Sequence, residues 1–128
     1  MAPLEMGAVS TELDPIFGCL LSTGRKDRDG YAFHGATRAH LHAWRAAGRD
    51  IPAGMELDHL CRRRHCRALH HLELVTRSEN ELRKSWRYRA RRKTCPAGHD
   101  LTTNRVVTPE SGIVCRQCNR DAMQQGAT

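Results

Sequence analysis

The sequence predicts a small α+β fold stapled by metal. Three observations point there. The chain has 128 residues, yet only 39% are apolar and 5% aromatic, so its core is thin and needs cross-links. Its six cysteines fall into two short-spaced sets, each with a histidine. Between residues 56 and 93 the pattern runs strand, cysteine-bearing loop, strand, helix.

The elements follow in order. Residues 1–15 read as an irregular lead-in, and Ile16 to Leu21 is a short apolar run holding Cys19. STGRKDRDG (22–30) has turn chemistry, and Tyr31 and Phe33 suggest a short strand. Thr37 is placed to cap a helix over 38–47, with Leu41, Trp44 and Ala47 on one face and Gly48 ending it. Glu56 to His59 forms a strand, and Leu72 and Leu74 alternate with Glu73 in a second. Thr76 and Glu79 match a capping box that opens a helix from about Arg77 to Lys93. Residues 94–120 form a separate zinc-ribbon-like module, and 121–128 read as a frayed tail.

The first set is Cys61, Cys66 and His71, one ligand short of a tetrahedral zinc. Cys19 is the best fourth ligand, with His65 or His70 as the alternative. The second set is Cys95, His99, Cys115 and Cys118, two close pairs around a hairpin-length insert. Together the sets use every cysteine. Closed sites of this kind leave no position for water, so two structural Zn²⁺ ions alone fit a binding module as well as an enzyme.

Charge separates the halves. Residues 1–60 hold 6 basic and 8 acidic side chains, and residues 61–128 hold 15 basic and 6 acidic. A concentrated positive half suits a polyanion, most simply nucleic acid. Arg83, Lys84, Arg87 and Arg91 fall along one side of the expected basic helix and are the phosphate-binding candidates. No stretch approaches the roughly 20 apolar residues of a membrane span. The N-terminal segment lacks a basic n-region, so a cytoplasmic setting is expected.

Asp58-His59 ends the first central strand, and Asn80 lies 21 residues beyond His59 in the first turn of the following helix. A neutral imidazole is a suitable base for activating water, and oxygen donors such as Asp58 and Asn80 suit Mg²⁺. An Asp-His pair alone is weak evidence, because most such pairs are ordinary structural residues.

As a set, these residues carry a resemblance. LDHLCRRRHCRALHHLELVTRSENELR resembles the core of phage-type HNH endonucleases, and is similar to the His-Cys box homing endonucleases with which they share a ββα-metal core. FGCLLSTGRKDRDGYAFHG and TRAHLHAWRAAGRDIPAGMELDH extend the likeness upstream, and CPAGHDLTTN with CRQC extends it downstream. The resemblance implies a nuclease domain over 16–93 that hydrolyses DNA phosphodiesters, with His59 as general base. It implies Asn80 and Asp58 as ligands of a catalytic Mg²⁺, and Cys19, Cys61, Cys66 and His71 around a structural zinc. A phage origin goes with it; a monomer, which would nick, and a two-fold homodimer, which would reach both strands, stay open as the two expected states. One departure stands out: Cys66-Arg67-Ala68-Leu69 replaces the Cys-x-Asn-Pro of many relatives, removing a hydrogen-bonding side chain and a stiff ring from the loop under His59. A non-catalytic, zinc-stabilised DNA-binding or assembly protein on the same scaffold is the alternative.

Overall fold

The computed structural model describes residues 11–125. Four two-stranded antiparallel sheets and five short helices make up this part of the chain. Strand β1 (Thr11–Asp14) pairs with β2 (Cys19–Ser22). This corrects the expectation of an irregular lead-in for residues 11–15; the rest of that segment, 1–10, lies outside the described residues. The turn between the strands closes on Asp14, whose Oδ1 accepts from the backbone N–H of Ile16 (2.9 Å) and Phe17 (3.2 Å).

A small hairpin of β3 (Phe33–His34) and β4 (Thr37–Arg38) leads into helix α1 (Ala39–Ala46). Thr37 was expected to cap that helix; it lies in β4 instead, and the N-cap is Arg38, without a side-chain bond. Trp44 is buried on the α1 face, and its indole N–H donates to Asp50 O at 3.0 Å.

The central unit is β5 (Met55–His59), a loop ending in a 3-10 turn (Leu69–His71), β6 (Leu72–Thr76) and α2 (Arg77–Leu82). The register sets Leu57 opposite Leu74, Asp58 opposite Glu73 and His59 opposite Leu72. Side chains alternate along a strand, so Leu57 and Asp58 leave by opposite faces. Leu57 and Leu72 pack with Trp44 under α1. Each such leucine contributes about 1.5–3 kcal/mol. Asp58 goes to the α2 side, where it meets Arg83.

The expected continuous helix over 77–93 is two helices, α2 and α3 (Trp86–Ala90). Thr76 does cap the first, accepting from Glu79 N–H at 3.1 Å. The break follows from Arg83. Its carbonyl accepts from the Arg89 guanidinium (2.7 Å) and from Arg62, which takes it out of the helical ladder. Ser85 is then extended and starts α3.

The C-terminal unit is α4 (Leu101–Asn104), the hairpin β7 (Arg105–Val107) with β8 (Ile113–Cys115), and α5 (Arg116–Gln124). Helix α5 carries regular structure through 121–124, where a frayed tail was expected; residues 126–128 lie outside the described residues. The unit leans on the cysteine-bearing loop between β5 and β6. Ile113 N–H donates to Leu60 O (3.0 Å), Thr108 Oγ1 donates to Cys61 O (2.8 Å), and Val114 joins the cluster around Cys19, Cys61, Cys66 and Ala68. Gly112 makes this approach possible, because a Cβ there would sit 2.3 Å from the Cys61 carbonyl carbon.

Candidate active site and metal centres

The first Cys/His set converges. Cys19, Cys61, Cys66 and His71 are all buried, with ligand atoms within 4.8 Å of one another. Strand β2 delivers Cys19 through its contacts with the loop: Ser22 N–H donates to His65 O (2.9 Å) and Arg67 N–H to Leu20 O (2.8 Å). Of the three candidates for fourth ligand, Cys19 is the one brought to the site. His70 turns instead to Asn119 (2.8 Å). Ala68 is fully buried in the cluster, and its carbonyl accepts from His71 N–H at 2.9 Å.

The second set converges as well. Cys95, His99, Cys115 and Cys118 meet the same 4.8 Å limit, with His99 Nδ1 at 3.3 Å from both Cys95 Sγ and Cys118 Sγ. Both sets have the donor chemistry of a closed tetrahedral zinc site. Hydrogen bonds from Cys19 and Cys66 push the Cys61 thiol well above its ordinary range, a penalty that a divalent cation removes by taking up thiolate charge.

His59 is buried at the end of β5 and its Nε2 lies 3.0 Å from Cys66 O. A carbonyl only accepts, so Nε2 carries the hydrogen and Nδ1 holds the lone pair. Burial pushes the imidazole down to about 4, against the pull of the Cys66 carbonyl, and Arg62 adds to the fall. His59 is thus neutral near pH 7 with a fixed tautomer. Its ring is 4.6 Å from that of His40, which stacks on Tyr31 at 5.4 Å. Arg38 lies over the other part of this group, 4.2 Å from the Tyr31 ring centre and paired with Asp27 at 3.1 Å. His40 and Tyr31 were not expected at the site; the only signal for His40 was its place two residues after Arg38 at the start of α1.

Asn80 donates its amide to Glu56 Oε1 at 2.7 Å. That bond fixes the amide, leaving Oδ1 without a protein partner among the described residues. Asn80 in turn holds the Glu56 carboxyl below its usual range, with Arg77 as the further cause. Asp58 is placed differently from a free ligand: Oδ1 faces Arg62 (3.3 Å) and Oδ2 faces Arg83 (3.1 Å). No hydrogen bond joins either Asp58 or Asn80 to His59 among the described residues.

Arg83 was expected to face phosphate. The structure corrects this: the side chain is 6% exposed and is shared by Asp58, Glu73 (2.7 Å) and Glu79 (3.0 Å). The reason is local, since the last turn of α2 lies over the acidic face of β5 and β6. Lys84, Arg87 and Arg91 are exposed. Removing a buried charge strands its partners, so Arg83→Leu should cost about 3–5 kcal/mol. Urea unfolding checks this; a loss below about 1 kcal/mol, the scale of a surface pair, would show the network to be dispensable.

The strand–loop–strand–helix unit thus sets a buried neutral histidine beside a Cys/His cluster that could hold a metal ion. Residues 37–82 match the family model described as HNH endonuclease. The match runs from β4 to the end of α2 and contains Asp58, His59, Cys61, Cys66, His71 and Asn80. No curated protein and no solved structure gives a significant match. Among the described residues no helix is long and apolar enough to cross a membrane.

Proposed function

We propose that the protein is a metal-dependent DNA endonuclease in which His59 is the general base. The observation that carries this reading is the bond from His59 Nε2 to the Cys66 carbonyl, which presents a neutral imidazole with its lone pair on Nδ1. Water gives its proton to that nitrogen as it attacks phosphorus, and the imidazolium that forms keeps its Nε2–H on the carbonyl. The zinc loop, through Cys66, holds the base in one tautomer.

A Mg²⁺ ion, when bound, would neutralise charge on the phosphate and the departing 3′-oxygen. The chain's donors fit it in part. Asn80 Oδ1 is free and suits a hard cation. Asp58 can serve as the second ligand by exchanging its longer contact, to Arg62, for the cation. Lys84, Arg87 and Arg91 are the exposed charges next to α2 and would take backbone phosphates. Cleavage of supercoiled plasmid tests the reading. Asn80→Ala should lower Mg²⁺-dependent nicking by about 10²-fold with DNA binding retained, the scale of a lost transition-state interaction. Binding without strand scission by the wild-type chain under Mg²⁺, Mn²⁺ and Co²⁺ would instead favour the non-catalytic alternative.

A further inference from the structure

We propose that Asn119 couples the two zinc sites, acting as a positioning residue that makes the first site depend on the second. Asn119 directly follows Cys118, a member of the second Cys/His set, in the first turns of α5. Its side chain points the other way, into the first set. Oδ1 lies 2.8 Å from Nε2 of His71 and 2.8 Å from Nε2 of His70. Nδ2 donates to Phe17 O at 3.0 Å.

These contacts fix one another. Phe17 O can only accept, so Nδ2 faces it and Oδ1 faces the two rings. Both histidines must then carry their hydrogen on Nε2. For His71 this leaves the lone pair on Nδ1, the atom 3.6 Å from Cys66 Sγ. A metal-bound histidine whose second nitrogen donates to a fixed acceptor is held in tautomer and orientation. His71 is 1% exposed, so no water replaces that acceptor if it is lost.

The fold around Gly18 is shaped for this amide. Gly18 lies in the left-handed region at φ +76°, and a Cβ there would fall 2.4 Å from Asn119 Oδ1. The glycine before Cys19 thus admits the asparagine after Cys118. The second set, by fixing the start of α5, fixes the amide that fixes His71. Ile113 and Thr108, bonded to the Leu60–Cys61 backbone, reinforce the same dependence from the other side.

The test uses the full chain loaded with Zn²⁺, or with Co²⁺ as a spectroscopic stand-in, without DNA or Mg²⁺. This keeps it independent of whether the protein cleaves. Metal transfer to a chromophoric chelator is followed for wild type, Asn119→Leu and Asn119→Asp. In wild type two equivalents should leave together. Asn119→Leu should release one equivalent 10- to 100-fold faster, the usual cost of a lost outer partner. Asn119→Asp keeps an acceptor for His71 but sets a second acceptor against the Phe17 carbonyl, so its release should fall between those of wild type and Asn119→Leu. Equal release from wild type and Asn119→Leu would overturn the proposal, as would Asn119→Asp behaving like leucine. Imidazole ¹⁵N–¹H correlations on the zinc-loaded wild type provide a check that needs no variant. A His71 proton on Nε2 supports the proposal, and one on Nδ1 overturns it.

Discussion

Replacing His59 with alanine should lower Mg²⁺-dependent plasmid cleavage by about 10²- to 10⁴-fold, the range for losing a positioned general base. The zinc loop and DNA affinity should survive. His59 is not a member of either Cys/His set, and among the described residues its side chain bonds to the Cys66 backbone carbonyl alone. Circular dichroism and a gel-shift assay would show both intact while turnover is lost. Equal cleavage by the two proteins would reject the assigned base. The pH profile gives a second, independent reading. A histidine with its ordinary pKa near 6.5 would be only about one-tenth neutral at pH 5.5, and the rate would fall about tenfold from its plateau. In this site the imidazole is pushed down to about 4, so the base form persists and the rate should stay nearly flat from pH 7.5 to 5.5. The same shift bears on stability. The unfolded chain takes up a proton on His59 near pH 6.5 and the folded chain only near 4. The contribution to stability is complete above 6.5 and is lost as pH falls through that window. A tenfold loss of rate between pH 7.5 and 5.5, with folding unchanged, would show that the buried imidazole does not set the profile.

The parts of this arrangement that were legible in the sequence are those fixed by local spacing. Cys61, Cys66 and His71 sit on one loop, and Cys115 and Cys118 on one helical turn, so their ligand geometry is a property of short segments. The capping of α2 by Thr76 is equally local. What the sequence hid depends on which distant groups meet. Arg83 looks like one more member of a basic stripe until β5 and β6 bring Asp58 and Glu73 beneath it. The same encounter breaks the helix, because the Arg83 carbonyl then serves Arg62 and Arg89. Asn119 was invisible for a related reason. An asparagine in a polar helix has no pattern of its own, and its role appears only when His70, His71 and Phe17 are seen around it. Residues 11–14 form a strand because Cys19–Ser22 lies beside them, not because of any alternation of their own.

Stripping zinc should abolish cooperative folding, and this is the largest stability effect expected of the molecule. The buried core is small and is built around the two Cys/His sets. One cluster is Cys19, Cys61, Cys66, Ala68 and Val114, and another is Cys95, Leu101, Ile113 and Cys115. Among the described residues the third, around Trp44, Leu57 and Leu72, contains no cysteine. Structural zinc sites contribute about 10–16 kcal/mol to folding in small modules, whereas a whole domain is stable by about 5–15 kcal/mol. The apolar contacts left after metal removal cannot hold the loop between β5 and β6. With that loop go the carbonyl that orients His59 and the backbone that Ile113 and Thr108 brace. Treatment with excess chelator should therefore remove the thermal transition seen by circular dichroism, and added Zn²⁺ should restore it. Cys66→Ser should do nearly the same without chelator. It leaves the backbone carbonyl in place but deprives the first site of a thiolate, so folding and cleavage should fall together. A chelated chain that melts at the same temperature as the zinc-loaded one would mean that neither Cys/His set is a structural metal site.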